Sequence, residues 1–160
     1  MNGLVGSGKW FDEVRVGDTF ASALTVTETH IVIGGGLIGD SNPHHLNAEY
    51  AKGSCFGTPI LHGMLTSSIM GAAVGMYFHG TAIAYLEHRA RFLAPVRAGD
   101  TLTTTWTITE LLDKPKHDGG IVVLNGGATI QTGDVVAESH ARILSSRRPP
   151  SRDAAGTRMP

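Results

Sequence analysis

One segment, residues 65–78, constrains the fold of this 160-residue chain more than any other. Its side chains are apolar or small on nearly every face of a helix, and it contains two glycines. A helix that is apolar all round is either buried or spans a membrane. About 15 residues with three serine and threonine side chains among them are too few and too polar to span a bilayer. The segment therefore predicts a central helix wrapped by a sheet, with small residues that let the strands pack closely.

The rest of the chain beyond this helix predicts strands. Side chains alternate or are β-branched over four segments, residues 82–94, 101–109, 121–131 and 135–144. Four consecutive strands without intervening helices predict an antiparallel sheet and the α+β fold class. Before the central helix, the sequence predicts a strand near 19–27 and a helix from about 28 to 36.

Glycines predict the connections between these elements. Ala98-Gly99-Asp100 and Thr132-Gly133-Asp134 predict tight turns at hairpin spacing. Asn125-Gly126-Gly127 interrupts a predicted strand and indicates a bulge or bend. No internal repeat or interdomain linker precedes the C-terminal tail, so residues 1–145 predict a single domain.

The composition predicts a folded core followed by a basic tail. The chain is 41% hydrophobic and 17% charged, which allows a buried core and argues against global disorder. Residues 146–160 are rich in arginine and proline and are predicted to be disordered. Removing the four arginines and one aspartate of this tail from the 13 basic and 14 acidic residues leaves a core near −4. The arginines have no interleaved aromatic residues, so no nucleic-acid partner is expected.

The use of cysteine and the N-terminal sequence predict the compartment. Cys55 is the only cysteine of the sequence, so no intramolecular disulfide can form. The first residues lack the apolar region of a signal peptide. A cytoplasmic protein without a membrane partner is therefore expected.

A carboxylate, Asp40, precedes an imidazole, His45, by five positions, with an Asn-Pro turn between them. Pro43 fixes its own φ and keeps Asn42 out of the helical region. Asn42 is therefore predicted to be the N-cap, and Pro43 the first residue, of a short helix over roughly 43–52. The two titratable groups could then face one cleft and activate a water molecule. Since an Asp or His beside such a turn is usually a surface cap, this hypothesis needs a second segment.

The second segment, Thr58–Met64, leads into the central helix. His62 and Gly63 fall at the helix N-terminus, where free backbone N–H groups can bind developing negative charge. Such groups form oxyanion holes. By itself, however, Gly63 is explained as well by a tight entry into the helix.

Three ordered segments resemble the MaoC-like dehydratases, which include the (R)-specific 2-enoyl-CoA hydratases. The segments are Gly39–His45, Pro59–Met64 and Arg91–Thr101, and the resemblance covers roughly residues 10–145. It implies the hotdog fold, in which a curved antiparallel sheet wraps one long central helix. It also implies a homodimer, or a larger homo-oligomer of dimers, with clefts at or near the interface.

The resemblance implies roles for individual residues. Asp40 and His45 match the catalytic pair that holds and activates the water. Gly63 matches the glycine whose backbone N–H polarises the thioester carbonyl. Asn42 and Pro43 would hold the loop of the catalytic pair in place.

One position departs from the family pattern. Some hydratases of the family have a serine within the central helix that contacts the catalytic aspartate. The matching position here is Gly71, and Ser68 lies one turn earlier. Either Ser68 substitutes for that serine, or the aspartate is held differently.

The implied substrate is an acyl-CoA thioester, and no cofactor is expected. CoA carries phosphates, so an acidic core needs local positive charge to bind it. The candidate phosphate ligands are Arg89, Arg91, Arg97, Lys52 and the 114–116 loop. Each of them could instead be a solvated or structural charge. The acyl chain is expected to lie against the central helix and against Phe56, Ile60 and Met64.

No metal is expected. None of the eight histidines has the spacing of a zinc site, and the adjacent His44 and His45 point apart in a helical turn. The chain also lacks a P-loop, a Gly-x-Gly-x-x-Gly motif after a strand, and a Gly-x-Ser-x-Gly nucleophile elbow.

These features together predict a hydro-lyase that reversibly hydrates a trans-2-enoyl-CoA to a 3-hydroxyacyl-CoA. A hotdog acyl-CoA thioesterase, which would attack the carbonyl carbon instead, is the nearest alternative. A non-catalytic acyl-CoA-binding or subunit-interaction module is the second alternative, which the departure at Gly71 keeps open.

Overall fold

The computed structural model describes residues 8–149. Its helices and strands follow one another as β1 (Thr19–Thr25), α1 (Glu28–Ile38), α2 (Pro43–Leu46), α3 (Ala48–Lys52), α4 (Gly63–Tyr77), β2 (Ala82–Phe92), β3 (Thr101–Lys114), β4 (Gly119–Thr129) and β5 (Val135–Ser146). Short 3-10 turns lie at Phe11–Glu13 and Pro115–His117. No helix within this part of the chain has the length and apolar character needed to cross a membrane.

The five strands form one antiparallel sheet in the order β1-β3-β4-β5-β2. Helix α4 contacts both edge strands, β1 and β2, as well as β3 and β5. Five strands spaced about 4.8 Å apart are wider than one helix of about 10 Å. Both edges can therefore reach α4 only because the sheet curves around it. The predicted central helix and α+β class are confirmed.

The core lies between α4 and the inner face of the sheet. Trp106 of β3 is fully buried there, and its Nε1–H donates to the carbonyl of Met70 in α4 (3.1 Å). Gly126 pairs with Trp106 across the sheet, and a Cβ at Gly126 would lie 2.6 Å from the indole ring. The predicted bulge at residues 125–127 is wrong, because β4 stays in register with both neighbours there. Gly126 makes room for a ring and does not bend the strand.

Of the two predicted hairpin turns, only one joins neighbouring strands. Gly133, with φ of 90°, lies in the turn between β4 and β5, which pair directly. The Ala98–Asp100 turn lies between β2 and β3, which are not neighbours in the sheet. Its Gly99 N–H donates to the carbonyl of Val26, and the Val26 N–H donates to the carbonyl of Asp100. This turn therefore fastens the segment that follows β1.

The first residues of the predicted disordered tail belong to the described structure. β5 extends one residue into it, and the next two residues are held by ion pairs. Arg147 contacts Asp113 at 2.5 Å, and Arg148 pairs with Glu13. Opposite charges therefore hold the start of the predicted tail up to Arg148. Residues 150–160 lie outside the described residues.

Candidate active site

The loop between α1 and α2 is built by short-range contacts. Gly39 ends α1 in the left-handed conformation, with φ of 74°. Asn42 caps α2 because its Oδ1 accepts the N–H of His44 (3.2 Å), and Pro43 is the first helical residue. The Asn42 N–H also donates to Asp40 Oδ1 (3.1 Å). The predicted cap is thus confirmed, and the cap residue also holds the carboxylate.

The predicted helix over 43–52 is two helices. Asn47 separates them, since its Oδ1 accepts the N–H of Tyr50 (3.0 Å) and starts α3 as a new N-cap. Its own N–H donates to the carbonyl of Pro43 (3.1 Å) and closes α2 after one turn. His45 therefore lies on a single helical turn.

The predicted acid–base couple does come together. His45 Nε2 lies 3.8 Å from Asp40 Oδ2, and their side chains are 13% and 49% exposed. The other ring nitrogen of His45, Nδ1, lies 2.7 Å from the carbonyl of Ile60. A carbonyl oxygen can only accept, so Nδ1 carries the proton and the neutral ring has its lone pair on Nε2. Both atoms of the couple are therefore acceptors when Asp40 is ionised.

This geometry suits a shared water molecule. At 3.8 Å the couple is too far apart for a direct hydrogen bond. A water about 2.8 Å from both acceptors would make an angle of roughly 85° at its oxygen. Such a water donates both protons to the couple and keeps its lone pairs directed away from it. A water held in this way is oriented as a nucleophile.

Gly63 is the first residue of α4, after the N-cap residue His62. The first N–H groups of a helix have no intrahelical acceptor. Among the described residues, no hydrogen bond from the Gly63 N–H is found. A Cβ at this position would lie 2.9 Å from the ring of Phe92, so the ring closely approaches the glycine. The amide is thus available to a ligand, as the oxyanion hypothesis requires.

His45 and Gly63 line different cavities in the single chain. His45 lines a cavity of about 230 Å³ together with Ile31, Val32 and Leu46. Gly63 lines a cavity of about 370 Å³ together with Phe56, Ile60 and Phe92. Ile60 also joins the two places, because its carbonyl holds His45.

Two of the three predicted acyl-pocket residues, Phe56 and Ile60, line the Gly63 cavity. Met64 lies elsewhere in the single chain, and its role in the acyl pocket stays a prediction. Met64 is 65% exposed and lines neither cavity. One residue turns a helix by about 100°, so Met64 presents its side chain to a different side of α4 from Gly63.

Ser68 does not support Asp40 in this chain. Its hydroxyl donates to the carbonyl of Met64, one turn earlier in α4 (2.8 Å), and the residue is exposed. Serine within a helix commonly donates to the carbonyl four residues before it. Asp40 is held instead by the backbone N–H of Asn42. Of the two possibilities left open by the sequence, the aspartate is held differently.

The position of the missing serine, Gly71, faces a different polar group. A Cβ at Gly71 would lie 3.7 Å from the Tyr85 hydroxyl and from the ring of His88. Tyr85 Oη and His88 Nδ1 are hydrogen-bonded (2.9 Å), and His88 Nε2 lies 3.0 Å from Ser139 Oγ. Burial raises the pKa of Tyr85 to about 12 and lowers the pKa of His88. A Cβ at Gly71 would therefore touch this polar chain without a clash.

The predicted phosphate ligands of β2 lie away from the couple. Arg89 pairs with Glu87, and Arg91 pairs with Glu138 at 3.3 Å; the two arginine side chains are 76% and 77% exposed. Both arginines line an open cavity of about 820 Å³, and its lining includes neither member of the couple nor Gly63. Each charge is compensated locally, so these residues fit surface ion pairs.

Arg97 is the candidate cation nearest to the site. Its Nη2 donates to the carbonyl of Phe56 (3.2 Å), and its backbone bridges Ile60. Arg97 is therefore tied to two of the residues that line the Gly63 cavity. Lys52 is exposed at the end of α3.

A metal ion does not fit the couple as it stands. Asp40, His45 and His62 offer ligand atoms that all lie within 4.8 Å of one another. The two imidazole rings, however, are stacked 3.7 Å apart with 26° between their planes. Lone pairs in nearly parallel planes cannot converge on one ion at the ~2.0–2.1 Å that zinc and imidazole require. One ring would have to turn away before a metal could bind.

Sequence reasoning missed three contributors to this site. The Ile60 carbonyl sets the proton position on His45, Gly35 packs under His62, and the ring of His62 stacks on His45. A backbone carbonyl has no sequence signal. His62 and Gly35 do have one, since a polar residue beside the motif glycine and a glycine inside a helix are both unusual, but their contacts arise only from tertiary packing.

Comparison with known proteins places this site in a family. The model of the family described as "MaoC like domain" matches residues 14–126. The chain is 34% identical to the (R)-specific enoyl-CoA hydratase of Rhodospirillum rubrum, over 87% of this chain and 93% of that protein. It is 29% identical to the 3-hydroxybutyryl-CoA dehydratase of Methylorubrum extorquens, over 76% and 83% of the two chains.

Solved structures agree with the sequence matches. The unliganded R-hydratase PhaJ1 of Pseudomonas aeruginosa superposes with a TM-score of 0.76 at 29% identity, over 87% of this chain and 86% of that one. The MaoC-like dehydratase of Rhodospirillum rubrum gives the same TM-score at 27% identity, over 89% and 99%. The family model and these similarities cover most of the chain, which therefore belongs to the MaoC-like domain family and has its hotdog fold.

Proposed function

We propose that this protein is a hydro-lyase that reversibly adds water across the trans-2 double bond of an enoyl-CoA thioester. The product is a 3-hydroxyacyl-CoA, of (R) configuration by analogy with the similar hydratases. The observation that carries this proposal is the pair of acceptors, Asp40 Oδ2 and His45 Nε2, at 3.8 Å. Two acceptors at this spacing hold a water by its protons and leave its oxygen free to attack carbon.

In the hydration direction, His45 Nε2 takes a proton from the water while the water oxygen forms a bond to C3. The electron pair of the double bond shifts towards the thioester and makes an enolate. A proton delivered from the couple then binds C2, which returns both side chains to their starting states. No cofactor is needed in this sequence, because the water supplies both the hydroxyl group and the proton.

The Gly63 N–H stabilises the enolate oxygen. Negative charge develops there only as the C3–O bond forms, so the donor binds the transition state more strongly than the substrate. The partial positive charge at the N-terminus of α4 acts in the same direction. The thioester would enter the cavity of about 370 Å³ that Gly63 lines.

For the rest of the substrate, Arg97 is the best-placed cation. It is half-buried beside the Gly63 cavity, whereas Arg89 and Arg91 already pair with acidic residues. An arginine at the rim of a site can hold a CoA phosphate by two parallel hydrogen bonds.

A homodimer is part of the proposal. β2 forms an edge of the sheet, where unpaired backbone groups invite a further strand. Three large apolar side chains of this strand, Ile83, Leu86 and Phe92, are 48–49% exposed in the single chain. Pairing with a second copy along β2 would cover them. A cytoplasmic location remains a prediction.

The activity is tested by hydration of crotonyl-CoA, which is measured as the loss of the enoyl absorbance. A positioned acid or base is worth about 10²–10⁴-fold in rate. Asp40→Asn and His45→Gln should each reduce kcat by that factor while circular dichroism and Tm stay close to wild type. His117→Gln, in an exposed turn, is the matched histidine control and should keep full activity.

Product analysis separates the alternatives. Loss of enoyl absorbance without free thiol, together with an (R)-3-hydroxyacyl-CoA on chiral analysis, supports the hydratase. Release of free CoA thiol would identify a thioesterase instead. Binding of several enoyl-CoA chain lengths without turnover would identify a non-catalytic module, and either result would refute the proposal.

A further inference from the structure

His62 makes contacts that the mechanism above does not use. It is the N-cap residue of α4, but its side chain makes no capping hydrogen bond and is turned towards the couple. The residue is only 1% exposed, and its Nε2 lies 3.0 Å from the backbone carbonyl of Asp40. Its ring stacks on the ring of His45 at 3.7 Å. One buried side chain thus touches both members of the couple.

The hydrogen bond fixes the proton on this ring. The Asp40 carbonyl can only accept, so His62 Nε2 carries the proton and Nδ1 of the neutral ring carries a lone pair. Among the described residues, Nδ1 is buried without a hydrogen-bond partner. A buried acceptor without a partner is destabilising. A phenylalanine would fill this space without that cost but could not donate to the Asp40 carbonyl, so the hydrogen bond to Asp40 is what requires an imidazole here.

We propose that His62 is a positioning residue that sets the geometry between Asp40 and His45. The inference rests on the proposed hydratase function. Asp40 lies in the loop after α1 and His45 lies on the single turn of α2, so the two belong to different elements. His62 ties both to the N-terminus of α4. The hydrogen bond fixes the position of the Asp40 backbone relative to α4, and the ring stack fixes the plane of the His45 ring.

The same residue connects the couple to the proposed oxyanion donor. Gly63 follows His62 directly, so displacement of the imidazole moves the first turn of α4 relative to the couple. A displacement of about 1 Å in a catalytic group can cost about 10²-fold in rate. Loss of the His62 hydrogen bond should therefore lower kcat much more than it changes KM.

Two substitutions at this position test the hydrogen bond. The amide nitrogen of Gln reaches the position of His Nε2, whereas that of Asn reaches only the position of Nδ1. We expect His62→Asn to lower kcat for crotonyl-CoA hydration by about 10²-fold with KM within about twofold of wild type. His62→Gln should recover at least tenfold of that loss, because it can still donate to the Asp40 carbonyl.

A stability control separates positioning from general loosening. Thr81 is 1% exposed and donates from its hydroxyl to the carbonyl of Lys9 (2.6 Å), beyond the C-terminus of α4. Thr81→Val removes the hydrogen bonds of this hydroxyl, which also contacts the Phe78 carbonyl and accepts from Ser145, and does so far from the couple. It should lower Tm and leave kcat unchanged at a temperature where this variant and His62→Asn are both folded.

A second pair of variants leaves His62 in place. A Cβ at Gly35 would lie 3.2 Å from the Asp40 carbonyl and from Leu46 Cδ1 and 3.3 Å from His62 Cε1, whereas a Cβ at Gly36 would meet nothing within 4 Å. Both glycines lie in α1. Gly35→Ala should therefore lower kcat by about tenfold or more, because it crowds both partners of the His62–Asp40 hydrogen bond, and Gly36→Ala should keep the wild-type kcat. This pair applies even if His62→Asn does not fold.

The outcomes are distinguishable. If wild-type protein does not hydrate crotonyl-CoA, the proposed function fails and the inference fails with it. If Asp40→Asn is inactive but His62→Asn keeps wild-type kcat, the function stands and the positioning role is refuted. Equal kcat in the Asn and Gln variants, or in the two glycine variants, would also refute it.

Discussion

Replacement of Gly63 by proline would remove the one N–H that the proposed mechanism gives to the thioester oxygen. The helix start should tolerate this change. Proline is favoured as the first helical residue, where its missing N–H has no intrahelical acceptor. The preceding residue must be extended, and His62 already has φ of −58° and ψ of 136°.

Gly63→Ala is the matched control, because it adds similar bulk and keeps the N–H. A Cβ here would lie 2.9–3.2 Å from atoms of the Phe92 ring. These atoms belong to the outer part of a side chain that can shift slightly, so we expect a small effect of Gly63→Ala on activity. One oxyanion donor is worth about 10²–10³-fold in kcat, or about 2.7–4 kcal/mol. The kcat of Gly63→Pro should therefore be lower than the kcat of Gly63→Ala by that factor.

The assay is the initial rate of crotonyl-CoA hydration for both variants, with Tm measured in parallel. Proline reduces the conformational freedom of the unfolded chain, which is worth about 0.4–1 kcal/mol where the backbone is compatible. The two variants should thus unfold within a few degrees of each other. Equal kcat for the proline and alanine variants would show that the Gly63 amide does not contact the developing charge.

Three further predictions concern stability. Gly126→Ala should lower the free energy of unfolding in urea by about 1–3 kcal/mol, because its Cβ would press on the buried Trp106 ring; Gly127→Ala, which would contact nothing within 4 Å, should be neutral or stabilising. Burial lowers the pKa of His88 below 6.5 in the folded protein, so the unfolded chain binds a proton more readily and stability falls as pH drops below about 6.5. His88→Gln should flatten this part of the Tm–pH curve. An unchanged slope would contradict the assignment of this effect to His88. Arg147→Ala should cost about 1 kcal/mol or less in urea unfolding, and a markedly larger loss would mean that its partly exposed pair with Asp113 is stronger than surface ion pairs usually are.

The sequence contained enough local information to predict most elements of the fold. The short-range signals were the apolar helix over 65–78, the alternating strands after it, and the Asn-Pro cap before His45. Each of these depends on contacts within a few residues of the chain, which is why the pattern of side chains predicts them. The split of the 43–52 helix is not predicted from the sequence. Asn47 can cap a new helix as Asn42 does, but it does so only because α2 ends at Asn47 after one turn.

The roles of some glycines can be predicted from the sequence, and the roles of others cannot. Gly133 was predicted correctly, because a positive φ in a turn is a local requirement. Gly126 and Gly35 were not, because they make room for side chains that are distant in the chain. From the sequence, Gly126 could equally well have indicated a bulge.

The candidate site shows the same difference between local and long-range contacts. The residue types next to the turn and at the start of the central helix are visible in the chain, and they show which chemistry is available. The orientation of His45 Nε2 towards Asp40 depends on packing, because the carbonyl that fixes the proton of His45 lies 15 residues further along the chain. The same holds for His62, whose contact with the Asp40 backbone spans 22 residues. Hydrogen bonds of this range depend on how helices and loops pack against one another, and that arrangement has no counterpart in the local sequence.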